Sequence, residues 1–293
     1  MIPLRKFTRN MTSSFGFVAL FLCSLWVVGS SCEQPFEPVR ENERHFFSIN
    51  GYLDVSADTQ WVRVMPVRET IGLSPGLPVP VVALEHLQSG QLGTMRDSLF
   101  RYAGNRYAYI FWSTMQILPG ERYRISVTDS AGRNSYAEVT LPQDFPVPQF
   151  SEPEFGADIL TIRQVERLAD VQVVYRILYD ETGKTVEVSF PFLQQSVFIP
   201  PSTYRVSINP DFGRSMIREM YCGITVTERN VFVASGGPEW VDFLSLDRHT
   251  IALPEGVSNI ENGVGYFGGI LSKTFPYVNS EGDRGLFQVP CPS

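Results

Sequence analysis

From Phe46 onward, apolar residues come in short runs in which bulky and polar positions alternate, and Gly, Pro, Asn and Asp break the runs. A period of two sends successive side chains to opposite faces of a strand, whereas a helix needs apolar positions three and four residues apart. The pattern predicts strands over 48–53, 61–65, 79–87, 107–112, 123–127 and 135–141, then over 171–179, 186–190, 204–208, 223–227 and 231–234. One short helix is expected at 238–244, where Trp240, Phe243 and Leu244 follow Pro238 at helical spacing. Aromatics at 13% and charged residues at 19% give the chain enough apolar surface for a sizeable core. The expected class is all-β.

The sharpest local signal is Leu118-Pro119-Gly120-Glu121-Arg122-Tyr123, a turn followed by a strand with Tyr123, Ile125 and Val127 on one face. It resembles the corner of immunoglobulin-like and fibronectin-like sandwiches, where a tyrosine ring packs at the end of the barrel-like core. One such sandwich is expected over residues 45–142. Four prolines in PQDFPVPQFSEPEF then mark a Pro-rich linker at 143–155, and a second β-rich domain with the one short helix follows over 156–293. PGERYRISVTDSAGR (119–133) also aligns without gaps on PPSTYRVSINPDFGR (200–214), either a duplication or two strands obeying the same turn chemistry.

The N-terminus predicts an address. Arg5, Lys6 and Arg9 precede fourteen uncharged residues (15–28), the length of a secretory apolar segment and short of the roughly 20 needed to span a bilayer. Gly29, Ser30 and Ser31 lead to Cys32, a pattern similar to the lipobox of bacterial lipoproteins, although Gly29 stands where an aliphatic residue is usual. On that resemblance residues 1–31 are a signal peptide, Cys32 is lipidated, and 32–44 are a polar linker. A plain signal peptide or an uncleaved anchor are the alternatives. Acyl chains contribute about 0.8 kcal/mol per buried CH₂, so two or more would hold the body on a membrane.

An exported compartment permits a disulfide, and Cys222 and Cys291 are the remaining pair; two free thiols are the other reading. The whole chain carries 24 basic and 31 acidic side chains, and the first 31 residues hold three of the former and none of the latter. The rest is therefore 21 against 31, a net −10 that disfavours nucleic acid as a partner. His45, His86 and His249 have no metal-ligand spacing, so no metal and no cofactor is expected. Gly263–Gly268 matches G-x-G-x-x-G, but the following GILSKTFPY is strand-like, and a dinucleotide loop needs a helix there. The glycines are expected to mark a bulge or a close backbone approach. Trp61, Trp112 and Trp240, with Tyr102, Tyr107 and Tyr109, are candidates for a ligand platform, or else simply fill the cores.

The segment Asn259-Ile260-Glu261-Asn262-Gly263-Val264-Gly265-Tyr266-Phe267-Gly268, taken with Cys32, P-G-x-x-Y at 119–123 and the Leu141-Pro142 close of the first half, resembles a further pattern. It is that of Bacteroidota lipoproteins catalogued as domain of unknown function 4249, whose N-I-x-N-G-x-G-x-F-G motif residues 259–268 match at every fixed position. The resemblance implies an exported, outer-membrane lipoprotein, often encoded beside a TonB-dependent receptor, and brings no catalytic residues. The leading expectation is a membrane-anchored, non-catalytic binding or accessory module for a small-molecule or glycan ligand. A glycan- or peptide-processing hydrolase using loop carboxylates such as Glu181, Asp211 or Asp242 is one alternative, and a structural or adhesive surface module another.

Overall fold

In the computed structural model, residues 45–67, 79–102, 106–154, 156–241, 257–278 and 286–291 are described, with backbone alone for 99–108 and 152–154. The signal peptide, Cys32 and the 32–44 linker lie outside these residues, as do His249 and Asp242. Among the described residues are seventeen strands and two helical segments, and the fold is an all-β sandwich.

The first half supplies β1 (Phe47–Asp54), β2 (Gln60–Pro66), β3 (Val81–His86), β4 (Gln91–Thr94), β5 (Arg96–Tyr102), β6 (Arg106–Ser113), β7 (Arg122–Thr128) and β8 (Asn134–Thr140). The β1-β2-β6-β5 run and the sheet β4-β3-β7-β8 enclose a core of Ile49, Leu53, Val62, Phe111, Leu84, Tyr123, Ile125 and Val139, each at most 1% exposed. The corner forms as the sequence suggests: the Leu118 N–H donates to the Tyr123 hydroxyl at 3.0 Å, and the His86 ring stacks on Tyr123 at 4.8 Å. Burial pushes the Tyr123 hydroxyl above its ordinary pKa.

The second half supplies β9 (Gln149–Glu154), β10 (Ala157–Arg163), β11 (Arg167–Tyr179), β12 (Thr185–Pro191), β13 (Ser196–Ile199), β14 (Thr203–Ile208), β15 (Ile224–Gly236), β16 (Gly263–Pro276) and β17 (Gln288–Val289). A second core lies between β13-β14-β10-β9 and the long strands, built from Leu160, Ile162, Val206 and Ile208 on one side and Val171, Val173, Ile177 and Val231 on the other. Helix α1 (Pro210–Met220) covers it: Ile217 is buried, Gly213 sits against the Tyr175 ring, and Phe212 meets Phe190 and Phe192 edge-on.

Three expectations need correction. A helix that the sequence reading did not expect lies at 210–220, because Asn209 caps it by accepting from the Asp211 N–H and Pro210 presets its first turn. The echo therefore holds through β7 and β14 and ends there, since TDSAGR turns into β8 whereas NPDFGR opens a helix. Residues 238–239 are a turn, and 242–244 of the expected helix lie outside the described residues. The strands expected at 223–227 and 231–234 are one, β15, thirteen residues long with both ends paired to β11.

The halves, moreover, do not separate at 143–155. Residues 42–293 form a single compact unit, and part of the expected linker is strand β9. The nine-stranded sheet runs β12-β11-β15-β16-β1-β2-β6-β5, with β17 beside β15. Its continuity depends on β16, which pairs antiparallel with β15 and parallel with β1 from Phe47↔Gly263 to Asp54↔Ile270. Gly265 has φ of +111°, and a Cβ there would sit 2.2 Å from the Ile49 carbonyl oxygen, so only glycine fits. The residues just before it lock the entry. Asn259 accepts from the Phe267 N–H at 2.9 Å and donates to its carbonyl at 2.7 Å, Ile260 enters the first core, and the Asn262 carbonyl accepts from the Phe46 N–H at 2.9 Å.

A disulfide joins Cys222 to Cys291 across 69 residues, with the Cα atoms 4.6 Å apart, and fixes the C-terminal end beside β15 where β17 pairs with it. Closing a loop of that length stabilises by about 4 kcal/mol in the chain-entropy model. Replacing both cysteines by serine is expected to lower the urea unfolding free energy by about 2–4 kcal/mol. Unchanged stability, with two thiols titrating in the denatured, unreduced protein, would contradict the bridge.

Candidate functional site

One face of the nine-stranded sheet's first half packs on the core, and period two sends every other side chain to the opposite face. Leu53, Val62 and Phe111 are buried, so Tyr52, Trp61 and Trp112, each one position away, face outward. The register aligns them: Gly268 pairs with Tyr52, Tyr52 with Trp61, Trp61 with Trp112, and Trp112 with Arg96. Sheet pairing thus converts residues far apart in the chain into one row at right angles to the strands.

Contacts within the row are direct. The Trp61 and Trp112 rings lie 6.1 Å apart and the Arg96 guanidinium sits 5.0 Å from the Trp112 centroid. At the Gly268 end the row continues with Trp240, whose ring occupies the space a Cβ on Gly268 would crowd at 3.0 Å and meets Tyr52 edge-on at 6.5 Å. Tyr266 packs against Trp240 at 5.9 Å. Tyr52 and Trp61 remain 50% and 49% exposed. Contiguous exposed rings of this kind cost solvation and mark contact surfaces more often than isolated apolar residues do.

The turn that carries Trp240 is held at several points. The Tyr266 hydroxyl donates to the Glu239 carbonyl and accepts from the Val241 N–H, both at 3.1 Å. The Thr140 N–H and hydroxyl donate to the Glu239 carboxylate at 3.0 and 2.9 Å, and Arg167 donates to the Trp240 carbonyl at 2.8 Å. Burial pushes the Tyr266 hydroxyl up to about 12, with Glu239 adding to the shift, so it stays a neutral donor. A platform set by so many bonds loses little conformational entropy on contact.

The outer face of the opposite sheet is different. There Arg122 and Arg124 both bind Glu138, and Arg124 lies 3.7 Å from Glu85. That bonding holds the Glu138 carboxyl below its ordinary range. One outer face is thus occupied by its own ion pairs while the other presents rings.

Of the sequence candidates, the structure brings Trp61, Trp112 and Trp240 together and leaves Tyr109 out. Tyr109 shares the parity of Phe111 on β6 and packs against the first core. The side chains of Tyr102 and Tyr107 are outside the described ones. Sequence reading missed Tyr52, Tyr266 and Arg96, whose membership depends on the parallel register of β16 and on the edge strand β5. Of the carboxylates weighed for hydrolysis, Asp242 lies outside the described residues, and Glu181 and Asp211 lie apart. Asp211 opens α1 and pairs with Arg214, whereas the turn holding Glu181 lies by the other end of the helix, where Tyr179 packs on Tyr221. Eleven helical residues separate those ends by roughly 15 Å, beyond the ~5–10 Å of paired glycosidase carboxylates. Among the described residues, no three of His, Cys, Asp or Glu are placed to hold a metal ion.

No protein-family model and no curated protein matches the chain. Faint likenesses exist among solved structures. A pullulanase from Anoxybacillus sp. LM18-11 is 10% identical at TM-score 0.23, over 64% of this chain and 24% of that one, so the chain spans about a quarter of its length. The chicken CNTN1 FN1–FN3 domains are 11% identical at TM-score 0.25, over 78% of this chain and 64% of that one. The titin domains z1z2 in complex with telethonin are 15% identical at TM-score 0.19, over 80% and 95%. Likenesses this weak carry nothing about ligand or activity.

Exposed rings contribute little to folding, whereas core rings contribute much. Trp61→Ala is expected to change the urea unfolding free energy by less than about 1.5 kcal/mol, and Phe111→Ala to lower it by about 3–5 kcal/mol. Equal losses would place Trp61 in the fold's core and remove it from the surface row.

Proposed function

We propose that this chain is a membrane-anchored, exported lipoprotein that works by contact and not by turnover, with the aromatic row as its contact surface. The observation that carries the reading is the row itself: Tyr52 and Trp61 half exposed at the centre of a hydrogen-bonded sheet, where a folding role would have buried them. The leader pattern ending at Cys32 supports the anchor, and the polar stretch after it supplies the tether. A tether raises the effective concentration of the surface near other membrane components without any new contact. The resemblance of residues 259–268 to the lipoprotein family favours an outer-membrane address, facing periplasm or cell surface, and a TonB-dependent receptor as the partner.

Metabolic labelling with a palmitate analogue tests the anchor. Label is expected in the wild-type protein and is lost in Cys32→Ser, which then leaves the membrane fraction. Unlabelled protein recovered from the cytosol with its leader attached would contradict the address. In detergent extracts the wild-type protein is expected to bring down its receptor, and Trp61→Ala to bring down less; recovery of the lipoprotein alone would contradict the partnership.

A further inference from the structure

The row of rings is bordered by two arginines that have no carboxylate partner among the described residues. Arg63 lies two residues from Trp61 on the same strand and face, exposed, paired across the sheet with Asn50 and Ile110. Arg96 ends the row, stacked on Trp112. Among the described residues neither has a carboxylate partner. Several other arginines do: Arg122 and Arg124 bind Glu138, Arg133 binds Asp129, Arg176 binds Glu187 and Glu228, and Arg214 binds Asp211, whereas Arg163 and Arg167 donate to Gln149 and the Trp240 carbonyl. Two described acidic groups near the row have hydrogen-bond partners of their own. The Asp54 carboxylate accepts from the Ser56 N–H at 2.8 Å and the Ser272 hydroxyl at 2.7 Å, and the Glu239 carboxylate is held by Thr140. In a body with ten more acids than bases after residue 31, such a local cationic, aromatic strip is an exception.

Resting on the contact reading above, we propose that this strip binds an acidic glycan, a chain of uronic-acid or similarly carboxylated sugars laid across the strands. Two features select that class. The Trp61 and Trp112 rings lie 6.1 Å apart and the Tyr52 and Trp240 rings 6.5 Å apart, on the scale of one pyranose unit along a chain. Sugars can therefore set apolar C–H faces on the exposed Trp61 and Tyr52 rings, with Arg96 on Trp112 at one side. A guanidinium stacked by its face keeps its N–H edge for a carboxylate, and Arg pairs with carboxylates through two parallel hydrogen bonds. A peptide adding as an extra strand would need a sheet edge, whereas the row crosses strands in the sheet's interior order β16-β1-β2-β6. A neutral glycan would use the rings and leave both arginines unused.

The test is calorimetric titration of the full-length protein in detergent with two probes, a tetramer of 1,4-linked mannuronate and cellotetraose as the neutral counterpart. The acidic tetramer is expected to bind and cellotetraose to bind at least about tenfold more weakly. Trp61→Ala is expected to abolish binding. Arg63→Gln with Arg96→Gln, and separately about 0.5 M NaCl, are each expected to weaken the acidic probe about tenfold or more without altering the unfolding midpoint. Equal binding of both probes, indifferent to the arginines but lost in Trp61→Ala, would overturn the acidic class and leave the contact surface standing. Failure of both probes would overturn the glycan proposal, while recovery of the receptor with the wild-type protein would still support contact. Binding of the acidic tetramer that survives Trp61→Ala would place the site elsewhere and overturn it too.

Discussion

The parallel pairing of β16 with β1 is the contact on which the rest of the molecule depends. Two half-sandwiches with separate cores would otherwise each leave a sheet edge exposed. Unpaired strand edges invite association with other chains, so burying both edges against a shared strand is the economical solution. It requires the two backbones to meet where a side chain would block them, at Gly265 with its φ of +111° and a carbonyl 2.2 Å from the missing Cβ. The same strand places Gly268 beside Tyr52 and thereby gives Trp240 somewhere to lie. Fold continuity and surface chemistry come from one glycine-bearing strand.

Much of the architecture is legible in the sequence because period two is a local property. The alternation in Tyr107 to Trp112 reports a strand, and the turn before Tyr123 reports a sandwich corner, without knowledge of any partner. The helix is harder. NPDFGRSMIREM contains a cap, a proline and a buried Gly213, but its resemblance to the turn after β7 hides the divergence, and Gly213 itself is a poor helix former kept for its contact with Tyr175. The Trp240 turn is hidden for another reason: the hydrogen bonds that hold residues 239–241 come from Thr140 and Tyr266, far away in the chain.

The surface row shows the limit most clearly. Alternation alone puts Tyr109 and Trp112 on opposite faces of one strand, so a platform holding both is inconsistent with the period that identifies the strand. What alternation cannot supply is which strands are neighbours. Tyr52 and Trp61 are nine positions apart, Trp112 is fifty-one beyond Trp61, and Gly268 lies in the other half; only the register places them in line. The domain boundary fails for the same reason, since prolines mark a break in the chain's regular structure and say nothing about a strand returning from far along the sequence.

Native-state hydrogen exchange tests the central claim most directly. If β16 unites the halves, the amides of 47–53 and 263–270 open together, with the same free energy and the same denaturant dependence, at the level of global unfolding. Exchange of β16 in step with β15 while β1 opens independently at a different free energy would mean two bodies lying side by side, and would leave the aromatic row without a common support.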